Sequence, residues 1–307
     1  MSQGIGLWGV PIAMLGGAIR VSTPYLFVSL GETITEKSGR VNLGLEGTLV
    51  LGAVSAYGVS YVTGSPWLGV LSAGCCGVLL GALHAFLCSR PRVNHVAVGI
   101  AIMLFGTGLA FYLGKPLIQP EAPQLPGLDF GAAFSGSPAI REALRVNPLF
   151  LLGIALAPAL AYVFKNTRWG LVLRMVGESA DAALALGYSV DRVRLLGTMA
   201  GGFLSGIGGS FLSLYYPGVW NEGLSSGQGL IAVALVIFAR WNPIHCLYAS
   251  LLYGAAGSIG SALQSAGVQV SAHLLGTTPA VLTLVIMIAT CSRDRALAGT
   301  PRELSMS

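Results

Sequence analysis

The chain has 307 residues, of which 54% are hydrophobic and 9% are charged, and its formal net charge is +5. Soluble globular domains carry about a quarter charged residues, so this composition excludes that class and predicts an integral membrane protein. The positive balance does not indicate nucleic-acid binding, because the Lys and Arg residues lie in short loops between apolar runs. No basic segment precedes the first apolar run, so no signal peptide is predicted.

Apolar runs along the chain predict an all-α polytopic bundle of about nine or ten transmembrane helices, forming a single membrane domain over residues 1–307. Residues 7–36 are ambiguous, since two apolar stretches separated by Arg20 form either one tilted span after a short surface helix or two short elements. Eight further spans are predicted at residues 43–62, 67–89, 94–114, 148–165, 193–214, 226–240, 243–264 and 273–291.

The loops predict the orientation of this bundle. If the polar loop at residues 168–194 is cytoplasmic, 13 Lys and Arg residues face the cytoplasm, and three lie outside, all in the loop at residues 115–147. Short loops rich in Lys and Arg stay in the cytoplasm, so this orientation is favoured and the C-terminus is cytoplasmic. The extracytoplasmic loop at residues 115–147 is rich in Pro and Gly, and we expect it to be ordered only by packing on the bundle or on a partner.

The cytoplasmic loop at residues 168–194 contains a predicted short helix. Residues 180–186 favour helix, Ser179 can cap its start, Asp181 suits the positive end of the helix dipole, and Gly187 can end it. A helix of this length is marginal alone because nucleation is costly. We therefore expect another protein to hold it.

Two further features of the composition are assigned structural roles. Glycines cluster at residues 201–209 and 254–260, and small residues of this kind let helix backbones approach closely in lipid. Tyr215, Tyr216 and Trp220 are interpreted as an aromatic belt at the membrane interface.

No arrangement of residues in the sequence indicates catalysis. The four histidines are isolated, the five cysteines lack C-x-x-C spacing, and no phosphate-binding loop is present. An enzyme is therefore the weaker class, and neither a metal nor a cofactor is predicted.

Polar residues at the ends of apolar runs are candidates for the lining of a translocation pathway, since a polar side chain in lipid is costly and usually faces a cavity or a partner. These candidates are Asn42, Glu46, Asn94 and Gln228. For Glu46 the alternative is a boundary residue that is solvated or paired with Arg40 or Lys37, and both interpretations stay open. For Asn94 and for Gln228, which is expected at an outer boundary, ordinary boundary polarity is favoured.

Three segments resemble signatures of the permease subunits of ABC importers of the ribose and branched-chain amino-acid type, and within these the nucleoside-type branch. The segment at residues 23–53 matches at Pro24, Gly31, Glu32, Glu36, Gly39, Val41, Asn42, Leu43, Gly44, Glu46 and Gly47. The segment at residues 170–194 matches at Gly170, Arg174, Gly177, Glu178, Ala182, Ala183 and Gly187. The segment at residues 227–243 matches at Gly227, Gly229, Ile231, Ala232, Ala234, Trp241 and Pro243. The chain departs from the family pattern at His95 and at Met103 and Leu104.

The resemblance implies a permease subunit of an ATP-driven importer in the cell inner membrane, moving a purine nucleoside or riboflavin. The implied partners are a cytoplasmic ABC ATPase, a second homologous permease subunit in a heterodimer, an extracytoplasmic solute-binding protein or lipoprotein, and membrane lipid. In such importers a short cytoplasmic helix of the permease docks on the ATPase. The coupling residues implied here are Glu178, Ser179, Ala180, Asp181, Ala183, Leu184 and Gly187. Among them Ala180, Ala183 and Leu184 are expected to make the contact.

Two alternatives to the nucleoside importer remain. One is a permease of the same family for ribose or another simple sugar, because a fold shared by a family does not fix the ligand. The other is an ion-coupled secondary transporter, which would use ionisable groups near the bilayer midplane. The eight firm spans carry few such groups, so this class is disfavoured.

Overall fold

The computed structural model describes residues 10–129, 145–265, 281, 285 and 299–306. The helices are α1 (Val10–Lys37), α2 (Leu45–Thr63), α3 (Pro66–Cys88), α4 (His95–Gly114), α5 (Pro148–Asn166), α6 (Arg168–Glu178), α7 (Ala180–Ala185), α8 (Val190–Leu214), α9 (Gln228–Phe238), α10 (Pro243–Ser265) and α11 (Arg302–Met306). A 3-10 turn, Lys115–Leu117, continues α4, and the strands β1 (Leu128–Asp129) and β2 (Arg145–Val146) pair antiparallel. This architecture confirms the predicted all-α polytopic bundle.

Most of the predicted spans correspond to helices. Within the described residues, five helices are long and apolar enough to cross a membrane: α2, α3, α4 with its 3-10 extension, α5 and α8. The ambiguity at the N-terminus is resolved, because α1 is one continuous helix of 28 residues that contains Pro24. The predicted span at residues 273–291 lies outside the described residues apart from positions 281 and 285.

The predicted span at residues 226–240 is wrong in length. Helix α9 has 11 residues, which corresponds to about 16 Å, whereas the hydrocarbon core is about 30 Å thick. It is therefore half of a span. The predicted span is too long because it includes Ser226, Gln228 and Arg240, whereas the continuous apolar run at residues 229–239 matches the helix in length.

Glycine contacts bring helix α8 against its neighbours. A methyl group on Gly202 would collide with the backbone carbonyl of Gly77 in α3, and one on Gly206 would collide with the carbonyl of Ala73. A methyl group on Gly254 in α10 would lie 2.5 Å from the carbonyl oxygen of Ala18 in α1. The prediction that the glycine clusters serve close packing is confirmed.

The described residues of the loop after α4 pack on the bundle. The Tyr57 hydroxyl donates to the carbonyl of Pro120 at 2.8 Å, and the Ser60 hydroxyl donates to that of Pro123 at 2.7 Å. The Leu125 amide donates to the carbonyl of Leu214 at 2.8 Å. Residues 120–125 therefore lie over the C-terminal ends of α2 and α8.

We predict that Gly202→Ala destabilises the purified protein in detergent. The new methyl group has no space against Gly77, and overpacking of this kind costs about 1–3 kcal/mol or more. The midpoint of thermal unfolding should fall. The matched control is Gly108→Ala in α4, where a methyl group meets no atom of the described chain within 4 Å. Equal midpoints for the two variants would contradict the packing argument.

Candidate translocation and coupling site

Helix α9 begins near the middle of the bundle. Its first turn is bound by Glu46, in the first turn of α2. The next residue, Gly47, packs directly against Ile102 and Gly106 of α4. Those two positions lie about 10–17 Å along a helix that is about 30 Å long. Residues 215–227 therefore return from the C-terminal end of α8 to the middle of the bundle, where α9 starts, and α9 runs toward the C-terminal end of α1.

The start of α9 is anchored by the carboxylate of Glu46. One carboxylate oxygen accepts from the Ser225 hydroxyl at 2.5 Å and from the Gly227 amide at 3.1 Å, and the other accepts from the Gly229 amide at 2.6 Å. A carboxylate satisfies the free amides at a helix N-terminus and complements its positive dipole end. Gly227 has a φ of +82°, and a side chain on Gly229 would lie 2.6 Å from the backbone of Glu46. Both positions therefore require glycine.

The end of α9 is anchored by a second buried carboxylate. The indole nitrogen of Trp241, in the turn after α9, donates to Glu36 in the last turns of α1. One turn earlier in α1, the Glu32 carboxylate accepts from the backbone amide of Asn42 at 2.7 Å and so holds the connection between α1 and α2. Glu32 is fully buried and Glu36 is 2% exposed. The two acids, four residues apart in an apolar helix, thus hold both the α1–α2 connection and the turn that ends α9.

Sequence reasoning matched Glu32 and Glu36 to the family signature but gave them no role. The signal that could have found one is the rule that ionisable residues within a span face a partner or a cavity. Their partners, Asn42 and Trp241, were not identifiable, because Trp241 lies 205 positions from Glu36.

The other predicted pathway residues fall in different places. Gln228 lies at mid-depth beside Glu46, which corrects its expected position at an outer boundary. Asn42 is 1% exposed, and its side chain accepts from the Gly44 amide at 2.9 Å. Asn94 caps α4 by accepting from the backbone amides of Val96 and Ala97. Glu46, Gln228 and Asn42 therefore belong to one region, and Asn94 lies at the N-terminal end of α4.

Two further expectations need correction. Neither proposed partner of Glu46 pairs with it: Lys37 donates to the carbonyl of Gly299 at 3.1 Å, and Arg40 donates to that of Ala85 at 2.8 Å. Burial, with the Arg194 guanidinium nearby, lowers the pKa of Arg40. Trp220 is 2% exposed and packs against Gly114, so it is a buried residue of the segment between α8 and α9 and not part of an interfacial belt.

The short helix α7 begins where the sequence predicts. The Ser179 side chain accepts from the Ala182 amide at 3.2 Å, and Gly187 has a φ of +83° just after the helix. Ala183 is fully buried against Val176 and Val190, so it holds α7 on the loop and does not lie on its outer surface. This placement corrects the expectation that Ala183 makes an external contact.

The outer surface of α7 and of the residues after it is apolar. Leu184 is 58% exposed, Leu186 is 67% exposed and Tyr188 is 43% exposed. Glu178 and Asp181 lie exposed beside this patch, whereas Ser179 and Ala180 are half-buried.

Comparison with known proteins identifies the family. The protein-family model for the permease component of branched-chain amino acid transport systems matches residues 14–291. The chain belongs to this family. TsgC13 of Haloferax volcanii, named as a glucose ABC transporter permease protein, is 35% identical over 78% of this chain and 74% of its own. The nucleoside ABC transporter permease protein NupC of Lactococcus lactis is 30% identical over 87% and 88%. The guanosine ABC transporter permease protein NupQ of Bacillus subtilis is 29% identical over 78% of each chain.

The chain is thus an ABC transporter permease and a multi-pass membrane protein. Permease subunits of this kind are not enzymes. Membership of the family implies an ATPase partner and a second permease subunit.

We predict a graded loss of transport when the anchor of α9 is weakened. Ser225→Ala removes one of the three donors to Glu46, whereas Glu46→Gln removes the charge from all three hydrogen bonds. Hydrogen bonds to charged groups contribute about 1.5–3 kcal/mol, so Glu46→Gln should reduce uptake more than Ser225→Ala does. Co-purification of the ATPase should persist in both variants. Wild-type uptake by Glu46→Gln would contradict a role for this anchor in transport.

Proposed function

We propose that this permease moves a nucleoside-like solute, a purine nucleoside or riboflavin, across the cell inner membrane. The resemblance of three separate segments to the nucleoside-type branch supports the proposal, as does the match to NupC over most of both chains. The similarity to TsgC13 keeps a sugar permease as the second candidate.

The translocation pathway is proposed to pass the start of α9. Irregular backbone at membrane depth is tolerated where protein buries it or where it lines a cavity, and transporters place such broken helices at their binding sites. The amide oxygen of Gln228 has no hydrogen-bond partner within the described chain. We assign Gln228 to the lining, and Glu46 and Asn42 to its support.

Coupling to the ATPase is proposed to occur through α7. The observation that carries this proposal is an exposed apolar patch, formed by Leu184, Leu186 and Tyr188, on a segment outside the membrane-spanning helices. Exposed apolar patches with a polar rim mark protein contacts, and Glu178 and Asp181 supply acidic groups for basic partners at that rim. This assignment requires a cytoplasmic 168–194 loop and C-terminus, in agreement with the distribution of Lys and Arg.

The remaining partners complete the proposed importer. The second permease subunit is a homologous but different chain, so that the pair is a heterodimer. An extracytoplasmic solute-binding protein or lipoprotein delivers the solute to the face that carries the 115–147 loop. The family resemblance supports both assignments.

We predict that Leu184→Asp reduces co-purification of the ATPase at least about tenfold, since a central apolar contact is commonly worth 2 kcal/mol or more. The matched control is Leu128→Asp, an exposed leucine of the outer loop, which should leave co-purification unchanged. Ala183→Asp is a poorer probe, because it disrupts the packing that holds α7 on the loop as well as any docking of the ATPase. Equal recovery of the ATPase with Leu184→Asp and with wild type would place the coupling contact elsewhere.

The substrate class is tested by competition. In cells that express the complete importer, we expect excess unlabelled guanosine or adenosine to suppress uptake of labelled guanosine, and excess glucose or ribose to leave it unchanged. Riboflavin is tested in the same assay. Suppression by the sugars but not by the nucleosides would favour the sugar permease.

A further inference from the structure

We propose that Glu303, in the C-terminal helix α11, is a positioning residue that ties the coupling helix α7 to the inner end of α1. The proposal rests on the assignment of α7 as the contact with the ATPase. It gives the C-terminal segment a role in passing movement of α7 to the helix that anchors α9.

The carboxylate of Glu303 joins two distant parts of the chain. One oxygen accepts from the amide of Ala180, the first residue of α7, at 2.9 Å. The other oxygen accepts from the Arg194 guanidinium at 3.0 Å. The Glu303 side chain is only 23% exposed and the Arg194 side chain only 13%. The first amides of a helix lack partners within it, so Glu303 supplies a cap from 123 positions away. A hydrogen-bonded ion pair that is largely shielded from water is stronger than an exposed one.

The same cluster includes the end of α1. Arg194 also donates to the carbonyl of Ser38 at 3.2 Å, just after α1. A methyl group on Gly39 would lie 3.0 Å from the Cβ of Glu303, and one on Gly177 would collide with the carbonyl of Lys37. The Lys37 ammonium donates to Gly299, just before α11, at 3.1 Å. The C-terminal segment, the start of α7 and the end of α1 thus form one contact cluster.

This cluster lies next to the anchor of α9. Glu36, which accepts from Trp241, directly precedes Lys37. A displacement of α7 that carries Glu303 and Arg194 with it would therefore reach the end of α1, and through Glu36 the turn after α9. Helix α7 has six residues and needs contacts from outside the helix to hold its position. Glu303 adds such a contact to the packing of Ala183 against Val176 and Val190.

The first test measures the clamp without the ATPase. Amide hydrogen exchange across residues 179–186 of the full-length permease should be about five- to tenfold faster in Glu303→Ala than in wild type, since a lost helix cap shifts local opening by about that factor. Glu303→Gln keeps an acceptor for Ala180 and should exchange at a rate closer to wild type. Glu121→Ala, at an exposed acid of the outer loop, is the control and should not alter exchange here. Unchanged exchange in Glu303→Ala would overturn the proposal.

The second test measures coupling in the complete complex in proteoliposomes. Glu303→Ala should reduce substrate-stimulated ATP hydrolysis several-fold, with the ATPase still co-purifying, and Glu303→Gln should show a smaller loss. Arg194→Gln should resemble Glu303→Ala, and the double variant should be no worse than the more severe single variant, because both residues act through one contact. Normal stimulation in Glu303→Ala, or additive losses in the double variant, would refute the link.

These outcomes separate the two proposals. If Leu184→Asp abolishes docking while the Glu303 variants behave as wild type, α7 is the coupling helix and the positioning role of Glu303 is wrong. If Leu184→Asp docks normally, the assignment of α7 fails, whereas faster exchange in Glu303→Ala would still demonstrate the cap.

Discussion

The constraint on which this structure depends is that lipid offers no hydrogen-bond partner to a backbone that stops being helical at mid-depth. The last residues of the segment 215–227 are in this situation, and a carboxylate supplies their hydrogen-bond acceptor. Glu46 accepts from the hydroxyl of Ser225 and from the amides of Gly227 and Gly229, so donors that would otherwise be stranded are satisfied by one side chain. The cost of burying Glu46 is offset by the same three bonds.

Three buried acids in the first two helices hold α9 and the connection beside it. Glu46 holds its start and Glu36 holds the turn beyond its end, while Glu32 fixes the connection between α1 and α2. Each acid accepts from a donor that the fold keeps in place, and removing one partner of such a contact leaves the other group buried and unsatisfied. Helix α9 therefore sits in a frame formed by the α1–α2 segment, although about 180 residues separate them in sequence.

The sequence was sufficient to predict the long membrane-spanning helices, but it was insufficient to predict the short helix α9 between α8 and α10. Apolar length and loop charge predicted α2, α3, α4, α5 and α8, since hydropathy records the thickness of the membrane directly. The predicted span at residues 226–240 is too long because it includes Ser226, Gln228 and Arg240, whereas the continuous apolar run covers only residues 229–239. The contacts that hold the two ends of α9 come from Glu46 and Glu36 in other helices and are not visible in the sequence. The burial of Ala183 was missed for a related reason. In a single turn of alanines, only the tertiary contacts with Val176 and Val190 decide which face is covered.

Rigidity is distributed unevenly over this bundle, and this decides where movement can enter. Helix α8 touches α3 backbone to backbone through glycines, and packed contacts of this kind leave little room for sliding. The turn after α9 is different, because Arg240 and Trp241 both have φ values near +50°, a conformation that costs L-residues about 1–2 kcal/mol each. Such strain persists only where surrounding contacts impose it, and here Trp241 is held by Glu36. A shift of α1 at Glu36 would therefore act directly on a turn whose backbone is already strained.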